Sequence, residues 1–289
     1  MKGIILSGGS GTRLYPLTMA SSKQLLPVYD KPMIYYPLCT LISADIKDIL
    51  IITSKEDVLN FKKLLGSGNQ WGIKIEYKVQ KKPNGIAEAF IIGEKFIGKD
   101  SVALILGDNI FNGINFSKKD LDYFKKIKGA KIFAYTVPDP NRYGVVEIKN
   151  GTVLSLEEKP NKPKSNLAVT GLYFYDNNVV KIAKSLIPSK RNELEISDIN
   201  KEYLSQKLLF VDILKPGVVW LDAGTFISLL QSSQYVQTIQ ERQNIFIGCP
   251  EEIALKKKFI NKIKFKKIIK NFSKNSYGKY LSNLLNEIE

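Results

Sequence analysis

The chain has 289 residues, 44% of them hydrophobic, enough for one large domain or a large domain with an appendage. It contains no histidine, which excludes Ser-His and Cys-His nucleophile pairs, imidazole-ligated zinc and any intermediate carried on an imidazole. Its two cysteines, Cys39 and Cys249, lie far apart outside any C-x-x-C spacing, which argues against a disulfide scaffold, while the formal charge of +15 invites a nucleic-acid reading.

Residues 3–7 predict a first strand, which ends at a glycine loop, Gly8-Gly9-Ser10-Gly11-Thr12-Arg13. The apolar stretch before that loop is too short for a secretory core, and no run reaches the roughly 20 apolar residues of a membrane span, so a cytoplasmic location is expected. Residues 32–44 carry Met33, Tyr36 and Leu41 at helical spacing and suit a crossover helix to a second strand at 48–53. A strand at 73–79 and a helix at 87–96 follow, and residues 102–106 are wholly apolar, hence a central strand. Further strands are expected at 131–137, 145–148, 167–175 and 218–221. Such alternation is that of β-α units on a largely parallel sheet.

After Cys249-Pro250 the text turns helical and basic. Residues 1–249 are therefore read as an α/β domain and 250–289 as a helical segment packed on it. There, Lys256, Lys257, Lys258, Lys262, Lys264, Lys266, Lys267 and Lys270 alternate with isoleucine and phenylalanine. That is the pattern of the solvated side of amphipathic helices, and it outweighs the nucleic-acid reading.

The glycine loop can turn tightly and bring amide N–H groups to an anion. It lacks the Gly-Lys-Ser/Thr ending of a Walker A motif, and Arg13-Leu14 stands where the dinucleotide fingerprint wants a third glycine. A plain turn would also explain it. Lys23-Gln24-Leu25-Leu26-Pro27 follows at a distance that one extended loop folds back over the same pocket, so that Arg13 and Lys23 face one triphosphate. Asp108 follows an apolar strand at its carboxyl end, where open parallel sheets bind ligands, and Asp222 stands in the same relation to Val218-Val219-Trp220-Leu221. Two carboxylates delivered by different strand ends can share a Mg²⁺, although each alone is equally well read as a turn former. Glu158 beside Lys159 is either an acceptor for hydroxyl groups or half of a surface ion pair.

The glycine loop together with Ser22-Lys23-Gln24-Leu25-Leu26-Pro27-Val28-Tyr29-Asp30-Lys31-Pro32 resembles the glucose-1-phosphate thymidylyltransferases. The resemblance runs from Gly3 to Tyr277-Gly278-Lys279-Tyr280. It takes in, in family order, Leu106-Gly107-Asp108-Asn109, Arg142-Tyr143-Gly144-Val145-Val146-Glu147, Glu157-Glu158-Lys159-Pro160, Val169-Thr170-Gly171-Leu172-Tyr173 and Trp220-Leu221-Asp222. It implies a Rossmann-like nucleotidyltransferase core with a mixed, mostly parallel sheet, assembly as a homotetramer, and no nucleic-acid or membrane partner. The implied reaction is Mg²⁺-assisted transfer of a thymidylyl group from dTTP to glucose 1-phosphate, giving dTDP-glucose and pyrophosphate by direct in-line displacement. A uridylyltransferase, or an enzyme acting on another hexose 1-phosphate, is the alternative. The product serves a route toward dTDP-rhamnose or toward an amino sugar equally well. A sugar phosphate whose second pKa is about 6 is already a dianion at neutral pH, so no general base is required.

Family matches assign Arg13, Lys23 and Lys159 as catalytic, the first two on the triphosphate and Lys159 on the sugar phosphate. Leu6, Gly8, Gly9, Gly11, Thr12, Arg13, Gln24, Gln80, Gly85 and Asp108 are matched to the nucleotide, with Gln80 and Gly85 at the pyrimidine edge. Tyr143, Gly144, Glu158, Lys159, Val169 and Tyr173 are matched to the sugar phosphate, and Asp108 and Asp222 to the metal. Asn84, Glu88, Ala223 and Phe226 depart from the commoner family choices, which bears on nucleotide strictness. A second nucleotide site is matched by Glu252 and Ile253, whereas Lys256 and Pro216 stand where arginine is common and Ser117 where histidine is common. Lysine offers a point charge and proline no donor in place of a planar fork, so a weak second site with reduced feedback is expected.

Overall fold

The computed structural model describes residues 1–9 and 11–288; Ser10 of the glycine loop and Glu289 lie outside the described residues. In chain order the elements begin with β1 (Lys2–Ser7), a short hairpin β2 (Pro27–Val28) and β3 (Lys31–Pro32), α1 (Tyr35–Ser43), β4 (Asp48–Thr53), α2 (Val58–Leu65) and β5 (Lys74–Val79). Then follow α3 (Glu88–Ile92), α4 (Glu94–Ile97), β6 (Val102–Leu106), β7 (Asn109–Asn112), α5 (Lys118–Lys125), β8 (Ala130–Thr136), β9 (Gly144–Lys149), β10 (Thr152–Glu158) and β11 (Leu167–Tyr175). The chain closes with α6 (Val179–Ser185), α7 (Ile196–Ser205), β12 (Leu209–Ile213), β13 (Val219–Asp222), α8 (Phe226–Gln243), α9 (Pro250–Lys256), α10 (Lys262–Lys270) and α11 (Ser276–Ile288).

Strands β5, β4, β1 and β6 pair in that order and all in parallel. Their central members are continuous apolar runs because both faces are covered. Along β1 and β4 the side chains alternate between two clusters: Ile5, Ile49 and Ile51 point to the face covered by α1 and the C-terminal helices, and Ile4, Leu50 and Ile52 to the face covered by α3, α6 and α7. The long β11 then enters antiparallel to β6 and pairs further with β8 and, through Ala168 and Val145, with β9. The sheet is therefore mixed, with β12 parallel to β8 at one end and β10 antiparallel to β9 at another.

Two expected elements differ from the sequence reading for local reasons. The helix expected over 32–44 begins at Tyr35, because Lys31 and Pro32 pair with Val28 and Pro27. The helix expected over 87–96 is two short ones broken at Gly93. Helix α8, 18 residues long, carries almost no apolar signal, since its buried positions include Ser232 and Gln240 beside Val236. It starts on a capping box, with the Thr225 hydroxyl accepting from the Ser228 N–H. Its far end is held by polar contacts beside the apolar ones of Val236 and Ile239. The Gln240 amide oxygen accepts from buried Lys31 Nζ (2.9 Å) and the Ile247 N–H (3.0 Å), and its nitrogen donates to Asp30. The C-terminal helices bury Ala254, Phe265, Ile268 and Leu281 in the same cluster as α1 and the sheet. No helix among the described residues is long and apolar enough to cross a membrane.

Candidate active site

Parallel pairing of β1 with β6 sets Leu6 opposite Leu106, so the glycine loop and Asp108 leave the sheet side by side at its carboxyl edge. Asp222 reaches the same place by another route. It is not at the end of a main-sheet strand, as the sequence suggested, but on a separate two-stranded ladder in which β13 runs antiparallel to β7 and Asp222 faces Asn109. Because β7 begins directly after Asp108, this ladder brings the two carboxylates to one cleft. The Ala223 N–H, donating to the Asp108 carbonyl at 3.0 Å, ties the turn to it.

That cleft, of about 420 Å³, is lined by Arg13, Asp108, Tyr143, Gly144, Glu158, Lys159, Val169, Tyr173 and Asp222 among others. A second cleft of about 300 Å³ is lined by Gly8, Gly9, Gly11, Thr12, Arg13, Lys23 and Gln24. Arg13 lines both, and it has no hydrogen bond or ion pair among the described residues. Its Nη1 and Asp222 Oδ2 stand 3.8 and 3.7 Å from where a Cβ on Gly224 would be. The Leu6 side chain, by contrast, is buried in the sheet's core cluster and reaches neither cleft. Gln80 and Gly85 line neither cleft, but the Gln80 side chain lies directly against Gly8. Gly85 has φ +107°, and a Cβ there would stand 2.4 Å from the Leu194 carbonyl oxygen.

Lys23 and Asp108, assigned above to different partners, are bonded to each other through Nζ and Oδ2. Burial would raise the Asp108 carboxyl, but the Lys23 charge and hydrogen bonds from Lys23 and Asn109 outweigh it and hold the group below its ordinary value. Asp222 goes the other way. Burial raises it first and the neighbouring Asp108 charge adds to that, while the Tyr143 hydroxyl, donating at 3.0 Å, and the Arg142 guanidinium pull it back only in part. The Tyr143 hydroxyl is itself pushed up to about 12 by burial and by Asp222, so it remains a donor.

Glu158 and Lys159 close the other end of the first cleft. Lys159 is held at φ +43°, a left-handed conformation unusual for a lysine, with its N–H donating to the Tyr143 carbonyl at 3.0 Å. Its Nζ is 3.9 Å from Glu158, loose enough to serve another anion. Glu158 is raised above the usual carboxylate range, chiefly by burial and further by Glu195, against the charges of Lys159 and Arg191.

Residues 2–239 match the family model described as "Nucleotidyl transferase". Over 286 residues, 99% of both chains, the sequence is 55% identical to a glucose-1-phosphate thymidylyltransferase of Neisseria meningitidis. It is 52% identical to one of Mycobacterium tuberculosis over 99% of both chains. The chain belongs to the glucose-1-phosphate thymidylyltransferase family. It is a nucleotidyltransferase, and solved structures agree in fold. A Bacillus anthracis protein assigned to the same activity, crystallised with sucrose, superposes with a TM-score of 0.75 at 45% identity, over 81% of this chain and 94% of that one. A UDP-glucose pyrophosphorylase complexed with UDP-glucose gives 0.72 at 25% identity, over 82% and 98%.

Several residues that hold the family's cleft had no role in the sequence reading. Asn109 is 3% exposed; its Oδ1 accepts from the Trp220 Nε1–H (2.6 Å) and the Gly171 N–H (3.0 Å), and its Nδ2 donates to Asp108 Oδ1 (2.8 Å). It thus ties β7 to β11 and β13 and holds Asp108. Arg191 grips Glu195 through Nε and Nη2 and lies 3.6 Å from Glu158. Asn109 and Trp220 stand inside quoted motifs, whereas Arg191 and Glu195 lie in a loop with no sequence signal beyond their charges.

The residues matched to a second nucleotide site sit in α9. Both Glu252 carboxylate oxygens are engaged, one by Lys256 Nζ at 2.6 Å and the other by the Tyr280 hydroxyl at 2.7 Å. Ile253 faces a separate cleft with Phe111, Phe246 and Tyr36. Ser117, where the family commonly has histidine, is the N-cap of α5 in a capping box with Asp120.

Proposed function

We propose that the protein transfers the thymidylyl group of dTTP to glucose 1-phosphate, releasing pyrophosphate, with the nucleotide over the glycine loop and the sugar phosphate in the cleft of Glu158 and Lys159. The observation that carries this reading is Arg13, a cation common to both clefts and without a hydrogen bond or ion pair among the described residues, with Lys23 lining one cleft and Lys159 the other. The obstacle to the reaction is electrostatic, since a dianion approaches a polyanion, and fixed positive charge across the junction lowers it. Arg13 and Lys23 hold the triphosphate and the developing pyrophosphate. Lys159 binds the phosphate of the nucleophile, and Glu158, ionised and acceptor-only, takes hydrogen bonds from sugar hydroxyls.

Asp108 and Asp222 fit a Mg²⁺ ion. They are half-buried carboxylates in one cleft, the charge of Asp108 raises Asp222, and no group of three or more His, Cys, Asp or Glu is gathered among the described residues. An ion held there takes its other ligands from phosphate and water, as Mg²⁺ prefers. When bound it supplies charge to the phosphate oxygens. The same reading includes assembly as a homotetramer in the cytoplasm and a weak second nucleotide site at Glu252, Ile253 and Lys256, whose carboxylate is already occupied.

A pyrophosphate-release assay crossing dTTP and UTP with glucose, galactose and glucosamine 1-phosphates tests the reaction. Release is expected with dTTP and glucose 1-phosphate and is abolished by excess EDTA. Turnover undiminished in EDTA removes the metal assignment, and preference for another pair replaces the substrates.

A further inference from the structure

Helix α10 carries its positive charge against its own stability. From Ile253 to Asn286 the sequence holds ten lysines and neither aspartate nor glutamate. A solvated helix face ordinarily interleaves both signs, because opposite charges at i,i+4 stabilise a helix and like charges destabilise it. In α10, Lys262 with Lys266 and Lys266 with Lys270 are like charges at that spacing, and no acidic residue occupies the first turn, where Lys262 and Lys264 oppose the helix dipole. Lys267 and Lys270 have no ion pair among the described residues. Phe265 and Ile268 turn inward to the core. Ile263, Lys266, Lys267 and Lys270, at i, i+3, i+4 and i+7, therefore form one outward stripe, and each of them is exposed. Ile263 is the anomaly in it, an aliphatic side chain 69% exposed among lysines. A merely solvated face accounts for the lysines but not for the isoleucine or the missing acids.

We propose that this stripe is a docking surface for an anionic lipid bilayer, the lysines meeting the headgroup charge and Ile263 entering the boundary between headgroups and acyl chains. The complementarity is of two kinds. Positive charge without local counter-charge is drawn to a negative surface, and an aliphatic side chain within it gains only where an apolar layer lies beneath that surface. A nucleic acid would satisfy the lysines alone, and the stripe presents no aromatic ring on which a base could stack. Such attachment is peripheral and lies outside what the family resemblance implies. It leaves the reaction's site free, because no residue of α10 lines either cleft.

Flotation of the full-length protein with vesicles of phosphatidylcholine alone, and of phosphatidylcholine with phosphatidylglycerol, tests the proposal at low and high salt. The wild type is expected to float with the mixed vesicles only and to be released by salt, which screens the attraction. Each lysine near such a surface strengthens binding about 5-fold, so the double variant Lys267→Gln, Lys270→Gln should bind about 25-fold more weakly. Ile263→Ser should bind about 10-fold more weakly, the loss expected for a partly buried aliphatic side chain. Both variants should melt no lower than the wild type, since the substituted side chains are exposed and the glutamines relieve like-charge repulsion. Wild-type protein that floats with neither vesicle, or folded variants that float as the wild type does, overturn the docking surface. Duplex DNA that binds the wild type and Ile263→Ser alike, and displaces vesicles from both, overturns the lipid assignment in favour of a general polyanion surface.

Discussion

Asn109 offers the sharpest test of how the cleft is held. Asn109→Ala removes the acceptor of two buried donors, the Trp220 Nε1–H and the Gly171 N–H, and a donor to Asp108. Each buried N–H left without a partner costs about 1–3 kcal/mol, which gives about 2–6 kcal/mol for the pair, the lower end applying where water enters the vacated space. Against a total stability of about 5–15 kcal/mol this is a large loss. The indole contribution can be isolated. Trp220→Phe removes the Nε1–H, so in the Asn109→Ala background it no longer breaks a bond and also removes one orphaned donor. Urea denaturation followed by circular dichroism on the two single variants and the double variant should give a coupling energy of about 1–2 kcal/mol. Free energies that add within about 0.3 kcal/mol would refute the reasoning, because the bond between β7 and β13 would then carry no energy of its own.

Lys159→Met should lower turnover by about 10²–10³ while changing dTTP binding little, and a loss of dTTP affinity with the rate at saturation spared would reassign the residue. Gly85→Ala forces a Cβ onto the Leu194 backbone at φ +107°, so thermal melting should fall by roughly 5 °C or more, and a shift under about 1 °C counts against the geometry. The raised Glu158 carboxyl gains its proton at a higher pH than an ordinary glutamate as the pH falls, losing the ionised acceptor for sugar hydroxyls. KM for glucose 1-phosphate should therefore rise on the acid side, with Glu158→Gln keeping only the part due to protonation of the phosphate itself; identical profiles for both proteins would dismiss the role.

The apolar runs at 3–7, 48–53 and 102–106 were legible as strands, and 102–106 as a central one, because both faces of each are buried and almost every side chain is apolar. The glycine loop and the motifs around Tyr143, Glu158 and Val169 were legible as strings of consecutive residues, and they line the two clefts. Other features have no local signature. Helix α8 is fixed by Gln240, Asp30 and Lys31, polar residues that become buried partners only when distant segments meet. Asp222 is carried to Asp108 by the β7–β13 ladder, a pairing between residues more than a hundred positions apart that no spacing reveals. The Lys23–Asp108 bond likewise depends on which atoms face each other across a fold. Sequence by itself determined which chemical groups were present and which strands and loops would carry them. Tertiary structure decided which charges neutralise one another, because hydrogen bonds and ion pairs act over a few ångströms, and that proximity is created only by folding.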